Sequence, residues 1–358
     1  MEQDTISDKG VSSLYYTRLW LLILLALVFF MVIIGGLTRL TDSGLSITEW
    51  KPLTGAIPPV TDNGWEEEFR KYSMIPEFKL QNHSMTLSEF KVIYWWEWGH
   101  RQLGRVIGLV WFLGFSLLWY YKCFDKEPIA PSFLIGCLIG VQGGIGWWMV
   151  SSGLEDNMLD VKSYRLAIHL LTAFIILSIL YWRVYGLTYR AQILPYKPIH
   201  GKALSIVSII ILVFLYMQIV SGALVAGIDA GTAYNEWPLM NGQVLPSESF
   251  DLSPVWLNIL DNSALVQFNH RYLGYILFLL VLGFFLITKL EGHKTVRRSG
   301  NILVVVATLQ VVLGIITILS EANLYFAALH QIGGMIFLFA SLNSVFISRQ
   351  THEFKDIN

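Results

Sequence analysis

Four histidines lie well inside apolar segments of this 358-residue chain, in two matched pairs: His100 with His169, and His270 with His330. Each sits about two helical turns into its segment, and each pair occupies the second and fourth segments of a four-segment unit that occurs twice. An imidazole in an apolar helix is costly to desolvate unless something binds it, and ionisable groups inside a membrane span mark functional sites. A single buried histidine is more often a hydrogen-bonded core residue; four at repeated positions ask for a common explanation. Zinc takes three or four protein ligands, and two imidazoles per unit fall short of that. Haem iron needs only two axial ligands, which a helical bundle supplies from facing helices. The pattern therefore points to haem iron at both pairs.

Neighbouring residues add chemistry. Glu97 precedes His100 by three positions, so the two share a helix face about one turn apart. The equivalent position in the second unit is Gln267. A carboxylate near one haem and an amide near the other suggests that only the first site does chemistry. The acid could ligate iron, relay protons or act as general acid or base; a helix-start acid held by the macrodipole is the alternative. Arg39, Arg101, Arg165 and Arg271 lie at helix ends where haem propionates would meet them, and guanidinium suits bidentate carboxylate pairing. The same residues could simply snorkel to the interface. Gly104 and Gly274, one turn below the first histidine of each pair, would leave room for a flat macrocycle. Nine of thirteen tryptophans fall on the side of the long loops. An aromatic belt explains much of this, but the cluster Trp95, Trp96 and Trp98 before His100 could also cap a cofactor pocket.

The elements that position these residues follow from composition. Hydrophobic residues make up 54%, charged residues 14%, and mean hydropathy is +0.54. Eight apolar stretches, near 17–39, 97–121, 131–151, 163–186, 203–226, 264–288, 300–320 and 324–347, reach the roughly 20 residues needed to cross a bilayer. Helices are the expected form, because backbone polar groups in lipid must be satisfied within each segment. The repeat is legible in motifs. HisArgGlnLeuGly at 100–104 matches HisArgTyrLeuGly at 270–274, and Gln142 and Gly146 match Gln310 and Gly314. Asp42, Gly44, Glu49, Trp50, Pro52 and Leu53 match Asp229, Gly231, Glu236, Trp237, Pro238 and Leu239. The expected fold is an all-α integral membrane protein of two tandem four-helix bundles related by a pseudo-two-fold axis along the membrane normal. Its divisions would be 1–186, with a long loop at 40–96 and the substrate site; a linker at 187–202; and 203–358, with the second site.

Arg183, Arg190, Lys197 and Lys202 cluster between segments four and five, and Lys289, Lys294, Arg297 and Arg298 between six and seven. The long loops are net acidic, so the termini and these basic loops are expected on the cytoplasmic side and the long loops outside. The N-terminal residues resemble neither a cleaved signal nor a transit peptide, which favours a bacterial plasma membrane. The net charge of −1 hides this asymmetry between the loops and says nothing of partners, and no basic patch suggests nucleic acid. The two cysteines, Cys123 and Cys137, leave no disulfide in the outer loops.

These motifs together resemble haem A synthase, the eight-helix membrane enzyme family of cytochrome oxidase assembly. The resemblance runs from Gly35-Gly36-Leu37-Thr38-Arg39 through the 41–59 loop to His330, with Glu97-Trp98-Gly99-His100-Arg101 its most specific segment. The absence of a cysteine pair in the first outer loop departs from the Bacillus-like branch and resembles the mitochondrial and proteobacterial one. The resemblance implies oxidation of the C8 methyl of haem O to a formyl group, giving haem A by two hydroxylations and loss of water from a geminal diol. It implies that His270 and His330 ligate a resident haem b, that His100 and His169 hold the substrate haem, and that Glu97 is essential. It further implies haem O synthase, a ferredoxin-type or other electron donor and oxidase assembly factors as partners; homo-oligomers are common in the family. The rival from another class is a dihaem b-type cytochrome moving electrons from quinol, against which the unpaired acid at Glu97 weighs. A transporter built from parallel repeats would leave four matched histidines unexplained.

Overall fold

The computed structural model describes residues 2–126, 128–155, 158–189 and 199–353. Of the linker expected at 187–202, residues 190–198 lie outside the described residues, and Arg190 and Lys197 with them. Helices dominate: α1 (Glu2–Leu40), α2 (Asp62–Tyr72), α3 (Pro76–Leu80), α4 (Leu87–Tyr120), α5 (Ile129–Gly153), α6 (Ser163–Tyr189), α7 (Gly201–Gly227), α8 (Asn258–Asp261), α9 (Ser263–Lys289), α10 (Lys294–Leu319) and α11 (Leu324–Glu353). No β-strand occurs among the described residues, only an isolated bridge between Met240 and Gln243. Among the described residues, eight helices are long and apolar enough to cross a membrane: α1 from Ser13, α4, α5, α6, α7, α9, α10 and α11. They coincide with the eight stretches expected, and the chain is a multi-pass membrane protein.

The chain divides into two compact units, Met1–Arg165 with Thr172–Ala191, and Leu166–Leu171 with Gln192–Asn358. In the first, α4 packs against α1, α5 and α2. Small residues permit close approach: a Cβ on Gly114 of α4 would lie 2.1 Å from Nε1 of Trp20 on α1, and that indole donates to the Val110 carbonyl at 3.1 Å. In the second, α7 packs on α9, α9 on α10, α10 on α11 and α11 back on α7, a closed ring of four helices.

The repeated Asp-x-Gly has a local cause. After α1 the chain reverses with Asp42 at φ 47°, and after α7 with Asp229 at φ 50°, a left-handed conformation that aspartate tolerates better than most residues. Helix α4 begins earlier than its apolar stretch because Thr86 and Glu89 form a reciprocal capping box. Residues 87–96 are thus the first part of the spanning helix, ahead of the apolar stretch near 97–121. Ahead of it, α2, α3 and the start of α4 enclose an aromatic core of Phe69, Tyr72, Phe78 and Phe90, with ring centres 5.2–5.7 Å apart. Within it Glu77 is 3% exposed and accepts from Tyr72 Oη at 3.1 Å and Asn82 Nδ2 at 3.2 Å. Burial pushes its carboxyl up to about 8, and the negative charges of Asp160, Asp42 and Glu97 add to the effect.

Candidate functional site

Two of the four histidines face each other within the second unit. His270 on α9 and His330 on α11 have ring centres 6.4 Å apart and planes at 81°. An imidazole nitrogen sits about 2 Å from a metal it ligates, and the ring centre lies about 1 Å further on. Two imidazoles on opposite faces of one iron therefore have centres about 6 Å apart, and the observed pair fits. Among the described residues no three His, Cys, Asp or Glu side chains converge as a metal cluster, which suits a two-ligand iron better than zinc.

Both rings are pressed against glycine. A Cβ on Gly222 of α7 would lie 3.0 Å from His270 Cε1, and one on Gly314 of α10 would lie 3.0 Å from His330 Cε1. Ser221 Oγ is 3.0 Å from His270 Nδ1, and Gln218 donates to the His270 carbonyl at 3.0 Å. Gln218 Nε2 also lies 3.2 Å from His270 Nδ1 and 3.3 Å from its Nε2, so Ser221 and Gln218 hold the ring from one side, as outer-shell partners orient ligating histidines. Gln310 donates to the His330 carbonyl at 2.8 Å, while His330 Nδ1 is buried with no hydrogen-bond partner. A buried ring nitrogen without a partner is what a site shaped around a ligand leaves behind.

The first-unit residues are placed as follows. His100 on α4 faces α1, where a Cβ on Gly35 would lie 3.0 Å from its Nε2. His169 lies on α6 within Leu166–Leu171, the stretch that groups with the second unit. Aligning Asp42 with Asp229 sets Gly35 opposite Gly222, so one glycine cradle is built twice. The same alignment sets Met31 opposite Gln218 and Ile34 opposite Ser221. The positions matching the polar partners of His270 are therefore apolar in the first unit, an asymmetry the histidine spacing does not reveal. Gly104 and Gly274 make room for these same side chains: an added Cβ would meet Met31 Cε and Gln218 Nε2 at 3.4 Å.

Glu97 is buried, at 2% exposure, and both its oxygens have partners. Oε2 accepts from Ser46 Oγ at 2.7 Å and from the Ile47 amide at 2.6 Å, and Oε1 accepts from Arg101 Nη2 at 2.5 Å. Arg101 also donates to the carbonyls of Ile47 at 2.7 Å and Glu49 at 3.0 Å. The acid and the arginine together pin residues 46–49 of the first long loop to α4. The second unit repeats the device with an amide. Gln267 accepts from Arg271 Nη2 at 2.6 Å and donates to the Ala230 carbonyl at 2.6 Å, while Arg271 donates to the carbonyls of Tyr234, Glu236 and Leu239. A carboxylate can only accept, so it faces an amide N–H and a hydroxyl; an amide can donate, so it faces a carbonyl.

Arg39 pairs with Asp42 at 2.8 Å and Asp160 at 3.5 Å. Arg165 donates to the Trp148 carbonyl at 2.6 Å, lies over the Trp148 ring at 4.7 Å, and has Glu155 at 3.7 Å. Trp50 of the first loop stacks on Trp147 at 5.7 Å, and Trp95 meets Trp98 edge-on at 5.3 Å. Cys123 and Cys137 are both free thiols.

These features make the chain a polytopic helical membrane protein whose second unit carries an opposed imidazole pair, the ligand set that a haem iron takes between facing helices. Residues 18–342 match the family model of the cytochrome oxidase assembly proteins (COX15-CtaA), and the chain belongs to that family. It is similar to proteins named heme A synthase from Dinoroseobacter shibae, 48% identical over 93% of this chain and 87% of the relative, and from Roseobacter denitrificans, 47% identical over 92% and 87%. A third, from Ruegeria sp., is 46% identical over 92% of this chain and 88% of the relative. The dihaem cytochrome alternative gains no support from these relatives.

Proposed function

We propose that this protein is a haem A synthase, which oxidises the C8 methyl of haem O to a formyl group by successive hydroxylations and delivers haem A for cytochrome oxidase. The observation that carries the reading is the opposed His270–His330 pair, in a chain nearly half identical to proteins of that name. His270 and His330 would hold a resident haem b, which would supply one-electron redox chemistry. Gly222 and Gly314 set how closely the two rings can approach their helices, and Ser221 and Gln218 orient the His270 ring. His100 and His169 hold the substrate haem. Glu97 serves that site by position: with its lone pairs committed to Ser46, Ile47 and Arg101, it holds the loop one turn from His100.

For the propionates, Arg39 and Arg165 are the stronger candidates. A propionate there would replace carboxylates that are 70% and 48% exposed, Asp42 and Glu155, an exchange of small cost in water. At Arg101 or Arg271 it would have to break a loop clamp. The reading sets the protein in a bacterial plasma membrane, termini in the cytoplasm and long loops outside. Haem O synthase, a ferredoxin-type or other electron donor and oxidase assembly factors are its partners. The test is expression in a bacterium that makes haem O but no haem A, followed by chromatography of extracted haems. Haem A is the expected product; haem O alone, with the protein folded and haem-loaded, would overturn the proposal.

A further inference from the structure

The first long loop meets α4 below the level of His100. Arg105 donates from Nε to the Pro52 carbonyl at 2.9 Å and from Nη2 to the Lys51 carbonyl at 3.0 Å. It lies five residues beyond His100 and fifteen before Tyr120, the last residue of α4. Fifteen residues span about 22 Å of helix, and the hydrocarbon layer is roughly 30 Å thick. Tyr120, Tyr121 and Lys122 mark the far interface. Since an arginine side chain reaches several Å towards the interface, the loop tip is tied to α4 at about the near edge of the apolar layer.

The tip has the composition that this height requires. Between Lys51 and Asp62 no residue is ionisable, and Leu53, Ile57 and Val60 are 85%, 74% and 82% exposed. Irregular backbone is excluded from lipid unless its polar groups are satisfied. Here Pro52, Pro58 and Pro59 have no N–H, and the amides of Gly55, Ala56 and Ile57 donate to Lys51, Leu53 and Thr54 carbonyls. On α4, Val106 and Leu109, close to Arg105 in the chain, are exposed apolar residues too. Lys51 is held away by Glu49 at 2.7 Å, and a cavity of about 270 Å³ lined in part by Glu49, Lys51, Arg101 and Arg105 lies behind the tip. The second unit makes the same touchdown with different chemistry. Trp237 Nε1 donates to Tyr275 Oη at 2.9 Å, and Tyr275 stands five residues beyond His270 and fourteen before Lys289, the end of α9.

We propose that the segment Lys51–Val60 is a membrane-inserted loop, its Leu53, Ile57 and Val60 side chains in the acyl–headgroup boundary of the loop-side leaflet and Arg105 its anchor. The occupant of this exposed apolar surface is lipid. The inference is independent of the reaction assigned above.

The test uses the full-length protein in phosphatidylcholine nanodiscs, with Cys123→Ala and Cys137→Ala. A nitroxide is attached at Leu53→Cys, Ile57→Cys or Val60→Cys, or at Glu66→Cys on the exposed face of α2. Power-saturation EPR then compares collisions with oxygen, which concentrates in lipid, and with a water-soluble nickel chelate. The expected oxygen-to-nickel ratio is several-fold higher at positions 53, 57 and 60 than at 66, and Arg105→Gln brings the three down toward the value at 66. Equal ratios at all four positions would overturn the insertion, and ratios unmoved by Arg105→Gln would overturn the anchor. Should Arg105→Gln fail to assemble, Arg105→Lys, which keeps the charge and loses the fork, reads the same outcome.

Discussion

Replacing Glu97 by Gln separates a positioning role from a proton-transfer role. The carboxylate accepts hydrogen bonds from Ser46, Ile47 and Arg101. A glutamine of the same shape offers one acceptor oxygen, so its NH2 group must confront either the Ile47 amide or the Arg101 guanidinium. Hydrogen bonds to charged groups contribute about 1.5–3 kcal/mol, and a buried donor left unmatched costs about 1–3 kcal/mol. Arg101 keeps its carbonyl partners at Ile47 and Glu49, which limits the loss. The net effect is about 2–4 kcal/mol on the local opening of residues 46–49, or roughly 30- to 900-fold faster amide exchange there. Hydrogen-exchange mass spectrometry on peptides covering 43–52 reads it, with peptides over 229–240 as the unperturbed internal control. Haem A formation should fall in step with the loss of protection, while haem b stays bound. If haem A formation is abolished and exchange at 43–52 is unchanged, the clamp argument is wrong and the carboxylate acts on the chemistry itself.

The reciprocal change, Gln267→Glu, sets a buried carboxylate oxygen against the Ala230 carbonyl and should speed exchange at 229–240 by a similar factor. Gly222→Ala or Gly314→Ala brings a methyl to 3.0 Å from an imidazole; overpacking of this kind costs about 1–3 kcal/mol, and a changed low-spin EPR spectrum with lower haem b content should follow. Ser221→Ala removes the hydrogen bond at His270 Nδ1, making the ligand less basic, so the haem b midpoint potential should rise in a redox titration. Glu77, held up to about 8 by burial, gives the 62–82 segment a pH dependence. Its folded value lies above the ordinary one of 4.5, so stability is full below about 4.5, falls as pH rises and levels off above about 8. Exchange corrected for intrinsic rate should show that slope in the wild type and lose it in Glu77→Gln.

The spanning helices were legible because eight apolar runs of sufficient length allow no other arrangement in lipid. The His270–His330 pair was legible because a repeat set both residues at one register. What the sequence could not convey was the direction of the side chains at helix ends. Arg101 and Arg271 stand where propionate ligands would, yet main-chain carbonyls that follow no residue-type code draw their guanidinium groups into the loops. The contrast between Glu97 and Gln267 was visible, but its match to an amide N–H on one side and a carbonyl on the other depends on loop geometry. The cradle at Gly35 and Gly222 had a signal, since the Asp42–Asp229 alignment pairs the two glycines. Its meaning needed the helices in place.

The measurement that bears hardest on the assignment of the two histidine pairs is the haem content of four purified variants, His100→Ala, His169→Ala, His270→Ala and His330→Ala, resolved by chromatography of the extracted pigments. The assignment requires haem b to be lost from the His270 and His330 variants and kept in the His100 and His169 variants, which instead lose haem O and haem A. Loss of haem b from the His100 or His169 variants, with haem b intact when His270 or His330 is removed, would contradict it.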